Sequence, residues 1–156
     1  MATKKVSPHN VDRAAQARIA FIRSVKFGGL GLDEVSASVD RAALAAVGGG
    51  RLSAEVSIKQ ELLSHDLDNF VVQAKFTVIE KQEGLDTPVV SVKATFSARF
   101  ELAEKASKEA VEAFAHLEAR LIFFPYIRHF ISDITYRMSI NPIVLPMTSE
   151  LENRGN

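Results

Sequence analysis

The sequence has no cysteine, no tryptophan and no surplus of either charge, since its 156 residues carry 19 basic and 19 acidic side chains. Without cysteine there is no disulfide framework, no thiolate nucleophile and no Cys-based zinc site. The charge balance argues against nucleic acid as a partner, because affinity for a phosphate backbone needs Lys and Arg in excess on one face. Long apolar runs are missing too. The run Leu121–Pro125 falls far short of a membrane span. The basic N-terminus Met1–Pro8 has no apolar stretch behind it that would make a signal peptide. The expectation is a soluble, cytoplasmic protein without membrane insertion.

Catalytic signatures are equally scarce. There is no His-Glu-x-x-His, no Gly-x-Ser-x-Gly elbow and no P-loop, and no Lys-Ser or Lys-Thr follows Gly48–Gly50. The histidines are His9, His65, His116 and His129. His116 stands four residues after Glu112 and His129 four before Asp133, spacings that put each pair on one helix face. Ordinary surface ion pairing accounts for them better than a metal does. No enzymatic activity, catalytic residue, metal or cofactor is expected.

What is present is 47% apolar and 24% charged residues, ordinary proportions for one globular domain. That domain is taken as 1–156, with 1–18 a flexible N-terminal arm carrying a helical turn near Val11–Ala17, and 148–156 a short C-terminal tail. Ile19, Phe21, Val25 and Phe27 alternate like one face of a strand, which Gly28, Gly29 and Gly31 end or bend. Leu32–Gly50 reads as a long connection, within which the alanine-rich Ser36–Val47 suits a short helix.

Cleaner strands follow. Arg51–Leu62 turns Leu52, Ala54, Val56, Ile58 and Gln60 one way, and Phe70–Glu80 does the same with Phe70, Val72, Ala74, Phe76 and Val78. After the turn Glu83–Asp86, Pro88 opens a run in which Val90 to Leu102 alternate. Four one-sided strands imply an antiparallel sheet with one covered and one wet face. From Ala103 the composition turns to helix formers. Ser107 suits an N-cap, and Ala110, Val111, Phe114, Leu117, Leu121 and Phe124 keep helical spacing as far as Pro125, which either kinks the helix or opens a second one. Ile127, Phe130, Ile131, Ile134 and Met138 resume the spacing, and Ile140–Met147, with two prolines, reads as extended. Strands first and helix last make the class α+β.

The stretch Phe124-Pro125-Tyr126-Ile127-Arg128-His129-Phe130-Ile131-Ser132-Asp133-Ile134-Thr135-Tyr136-Arg137 is similar to the helix signature of the SecB family of protein-export chaperones. Asn141–Pro146 resembles the proline-aliphatic crossover that follows it in that family. The likeness covers about the last third of the chain. It implies a SecB-like fold: a four-stranded antiparallel sheet backed by a long Pro-interrupted helix and an extended crossover segment. It also implies a homotetramer built as a dimer of dimers, joined by first strands and helices, with Ile19, Phe21, Ile22, Ile127, Phe130, Ile131 and Ile134 at the interfaces.

Family members hold unfolded polypeptides without ATP, in apolar grooves formed by the crossover. On this chain that role falls to Tyr126, Ile140, Pro142, Ile143, Val144, Leu145, Pro146 and Met147. The implied partners are unfolded clients, with either the export motor ATPase or one dedicated protein beside them. Two features depart from the best-known members. Those are strongly acidic where this chain is neutral, and they continue past the crossover into a second helix and charged tail where this one has only Thr148–Asn156. Three readings therefore stand: a general holdase, a SecB-like chaperone dedicated to one partner such as an antitoxin, and a hydrolase or small-ligand protein on a similar scaffold, which the missing motifs disfavour.

Overall fold

Period-two alternation puts the apolar side chains of Phe70–Val78 and Val90–Leu102 on one face of a sheet, and these residues form the centre of the core. The computed structural model describes residues 8–48, 50–82 and 87–145. In chain order the elements are α1 (Pro8–Ser24), β1 (Val25–Val39), α2 (Arg41–Val47), β2 (Leu52–His65), β3 (Asn69–Gln82), β4 (Pro88–Leu102) and α3 (Lys108–Arg137). The strands form one four-stranded antiparallel sheet in the order β1-β4-β3-β2. The expected turn at Glu83–Asp86 lies outside the described residues.

The start of the chain corrects the sequence reading. Ile19–Ser24 is helix, not strand, and the expected flexible arm contains the first part of that helix. The alternation Ile19, Phe21, Val25 is broken by Arg23, while Phe21, Ile22 and Val25 also fit a helical face, and the Ala-rich residues before them favour helix. Tertiary contacts agree with the helix: the Phe21 ring meets Phe114 of α3 edge-on at 6.1 Å, and Arg18 pairs with Glu118.

Leu32–Gly50 is not a long connection either. Strand β1 runs on to Val39, with register shifts between Phe27 and Gly29 and between Leu32 and Glu34. Each shift inserts a residue, so the face set by Val25 and Phe27 is resumed by Leu30 and Leu32 and again by Val35, Ala37 and Val39. Gly29, at a φ of 146°, permits the first bulge. The short helix α2 then forms behind Asp40, whose carboxylate accepts from the Ala43 amide at 2.9 Å.

Helix α3 begins at the expected cap, Ser107, which accepts from the Ala110 amide at 3.2 Å. It passes through Pro125 without ending. Its most buried row is Val111, Ala115, Ala119, Phe123, Ile127, Ile131 and Thr135, each four residues from the last. At 3.6 residues per turn such a row advances about 40° per step, so the inner face winds around the helix as it crosses the sheet. Two aromatic groups fix it there. Phe114 stands edge-on to Phe70 and Phe100 at 5.5 and 5.2 Å, and Phe130 stands edge-on to Phe76 and Phe96 at 6.0 and 5.4 Å.

Candidate functional site

Thr135 is the one polar side chain fully buried among the described residues, and it organises the crossover segment. Its hydroxyl donates to the Ile131 carbonyl at 2.7 Å and accepts from the Ile143 amide at 3.0 Å. The helix above it closes through Ser139, at a φ of 56°, and through the Ile140 amide, which donates to the Thr135 carbonyl at 3.3 Å. The guanidinium of Arg41 in α2 caps the same end by donating to the Met138 carbonyl. The chain is thereby turned back along α3, with Ile143 and Leu145 inward and Val144 outward.

This arrangement sorts the residues expected to meet clients. Ile143 and Leu145 are buried, so within one chain they seal the core and offer a client no surface. Val144 is 63% exposed, Pro142 is exposed and Ile140 is half-buried. Tyr126 is exposed but lies on another side of α3, where its ring faces Phe27 of β1 at a centroid distance of 6.3 Å. Pro146 and Met147 lie outside the described residues. Val144 overhangs a mostly apolar concavity of about 400 Å³ whose other walls are Phe124, Pro125, Arg128, His129 and Ser132. Among the described residues no acidic side chain lines it. Leu117 and Leu121, 53% and 62% exposed, extend apolar surface along the helix.

The residues expected at oligomer interfaces divide in the same way. Ile127 and Ile131 are completely buried against the chain's own sheet, and Phe130 and Ile134 are half-buried beside them. The sheet therefore uses the inner arc of α3, and that arc is closed to a second helix. Phe21 and Ile22 pack partly against the core, whereas Ile19 is exposed on α1. A different apolar strip is left open. Helix α3 lies mainly over β2 and β3, so the inward face of β1 is open at Leu32 and Val35 and only partly covered, by Tyr126, at Phe27. The strip was hidden in the sequence by the two bulges, and its signal is the resumed alternation on either side of them.

The carboxylates four residues from the histidines are bonded elsewhere: Glu112 to Lys108 at 3.6 Å and Asp133 to Arg137 at 2.7 Å. Among the described residues no three His, Asp or Glu side chains gather as a metal site, and no helix is long and apolar enough to cross a membrane. The outer sheet face is mixed in sign, with Lys75 paired to Glu61 at 2.7 Å and Lys81 to Glu55 at 3.0 Å.

No protein-family model matches the sequence. Over 97 residues the chain is 32% identical to an uncharacterized protein of Methanocaldococcus jannaschii, a match covering 62% of this chain and 61% of the archaeal one. The chain thus spans about six-tenths of the length of that curated relative. Among solved structures it superposes with a TM-score of 0.71 on a SecB-like chaperone of Mycobacterium tuberculosis, determined with a peptide from the HigA1 antitoxin. The two are 24% identical, and the match covers 84% of this chain and 94% of the other. The fold is SecB-like. A protein of unknown function from Streptococcus agalactiae matches far more loosely, with a TM-score of 0.48 at 6% identity. The SecB-like fold accounts for the sheet, the long helix and the returning crossover, which are the elements that create the concavity beneath Val144.

Proposed function

We propose that this protein is an ATP-independent chaperone that holds unfolded polypeptides on the outer surface of α3 beside the crossover. The observation that carries the reading is the concavity of about 400 Å³ under Val144, mostly apolar and open to solvent. It continues toward the exposed Leu121 and Leu117. Such a surface makes few directional demands, so it accepts apolar side chains of many sequences at about 25 cal/mol per Å² before ordering losses. Each contact is weak. Several grooves on one oligomer acting on one extended chain supply affinity through effective concentration.

A second copy is the occupant proposed for the open strip on β1. Phe27, Leu32 and Val35 lie in a row along an edge strand, where an unpaired backbone and an apolar face invite association. The resulting assembly is a homo-oligomer, and the SecB-like scaffold fits a dimer of dimers. The solved chaperone of the same fold carries a peptide from an antitoxin, which supports a second reading: a holder dedicated to one partner protein. The mixed-sign outer sheet favours that reading over delivery to the export motor, since among the described residues that face alternates lysine with glutamate and is not an acidic docking surface.

Suppression of aggregation, measured with several unrelated unfolded proteins, decides between general and dedicated holding. Protection of all of them at near-stoichiometric ratio is the expected result for a general holdase. Protection of none, beside tight binding of a single partner, identifies a dedicated one. Failure to bind any unfolded chain or partner overturns both.

A further inference from the structure

The last carbonyl groups of a helix have no partners within it and must find them elsewhere. At the end of α3 the chain's own turn supplies several. The Met138 amide donates to the Ile134 carbonyl at 3.0 Å, the Ile140 amide to Thr135 at 3.3 Å and the Ser139 amide to Tyr136 at 2.9 Å. The carbonyls of Met138 and Ser139 are met differently. Both accept from the guanidinium of Arg41, the second at 3.4 Å. A cation suits this end of a helix, where the peptide dipoles gather negative charge. Arg41 stands 97 positions before Met138, however, so the cap comes from a separate part of the fold.

That part is fixed to the sheet. Arg41 opens α2, the Asp40 amide before it donates to the Val89 carbonyl of β4 at 2.9 Å, and Leu44 and Val47 of α2 pack against the core. The turn that Arg41 holds is a strained one. Ser139 has a φ of 56°, a region that a non-glycine residue keeps only where its surroundings determine it. The next fixed point along the chain is the Ile143 amide, held by the Thr135 hydroxyl at 3.0 Å, and Val144 follows directly above the concavity. The crossover is thus tied at its near end to the sheet, through Arg41, and at its far end to the helix, through Thr135. Arg41 is exposed and is not among the residues lining the concavity, so any effect it has there passes through Ser139.

We infer that Arg41 is a positioning residue for the client-holding surface: from α2 it fixes the turn at Ser139 and, through that turn, the place of Val144 over the concavity. The inference rests on the reading that clients bind there. It makes the geometry of the crossover depend on the seating of α2 against β4 as well as on α3. Exposed surface arginines contribute little to global stability, so the effect of Arg41 is expected in the position of the crossover and in client binding.

The test compares the full parent chain with Arg41→Met, which keeps the aliphatic stem and removes the donors, and with Arg41→Lys. Three quantities are measured: the affinity of a permanently unfolded labelled polypeptide at matched oligomeric state, the urea midpoint, and the Val144 methyl NMR signals, assigned by their loss in Val144→Ser. In Arg41→Met the affinity should fall about fivefold, as expected for the loss of charge-assisted bonds at an exposed site. The Val144 signals should move while the urea midpoint stays near that of the parent. Arg41→Lys, whose ammonium can still donate to a carbonyl, should recover part of both effects. A parent chain that binds no unfolded polypeptide sinks the client reading, and the Val144 signals then decide the latch alone: displaced signals uphold it, unmoved ones reject it. Three results overturn the inference where the parent does bind: Arg41→Met binding as tightly as the parent, a loss of affinity with Val144 signals unmoved, or an Arg41→Met chain that fails to fold, which makes Arg41 a structural residue.

Discussion

The Thr135 hydroxyl accepts the Ile143 amide at 3.0 Å, and this one bond joins the last turns of α3 to the segment that returns beneath them. Helical spacing alone would count Thr135 as a defect in an apolar row. Its hydroxyl instead serves the helix and the crossover together, donating to Ile131 and accepting from Ile143.

Thr135→Val keeps the shape and removes both bonds. The buried Ile143 amide is then unsatisfied, so the expected loss is about 1–3 kcal/mol, read as a lower urea midpoint with an unchanged slope. Loosening the crossover should also weaken client binding, because Val144 is then no longer held over the concavity.

Neighbouring crossover residues should behave in opposite ways. Leu145→Ala removes a buried side chain and is expected to lower stability by about 2–5 kcal/mol. Val144→Ser, at an exposed site, should change stability by no more than about 0.5 kcal/mol while weakening binding of unfolded polypeptide. Equal loss of stability in both variants would contradict the inward and outward assignment.

Glu80 supplies a pH dependence. It lies on the inward side of β3, opposite Ala54 and Val90, and partial burial raises its carboxyl above the ordinary value. Folding then favours the protonated form. The protonated carboxyl's contribution is fully present below the unfolded pKa and is lost as pH rises through the folded one. Glu80→Gln, uncharged throughout, should therefore unfold at higher urea than the parent near neutral pH. The difference should vanish about one unit below the ordinary glutamate pKa of about 4.3. An advantage that grows as pH falls would refute this reading of Glu80.

The open strip on β1 predicts a charge-sensitive assembly. Leu32→Glu with Val35→Glu should leave the monomer folded, since both side chains are already 45% exposed, and should shift the light-scattering mass toward monomer. An unchanged oligomer would place the interface elsewhere.

Much of this fold is legible in the sequence where one period runs uninterrupted. Strand β4 alternates from Val90 to Leu102 without a break, and α3 announces itself by Ser107 and its apolar spacing. Around Ile19–Phe27 the same apolar residues satisfy both periods, and packing of Phe21 on Phe114 decides for helix. In β1 the bulges displace the pattern twice, which hides Leu32 and Val35 as members of the face begun by Val25 and Phe27. The crossover is legible as extended, but composition cannot tell which of Ile143, Val144 and Leu145 point inward. That depends on a hydrogen bond to a residue eight positions earlier in the chain.

The central claim is that unfolded polypeptide binds the outer surface of α3 beside Val144. It is tested most directly by measuring the affinity of a permanently unfolded, labelled polypeptide for the parent chain and for Leu121→Ser with Val144→Ser, by fluorescence anisotropy at matched oligomeric state. A loss of affinity of at least tenfold with the fold intact is the predicted result. Equal affinity in the two proteins would contradict it.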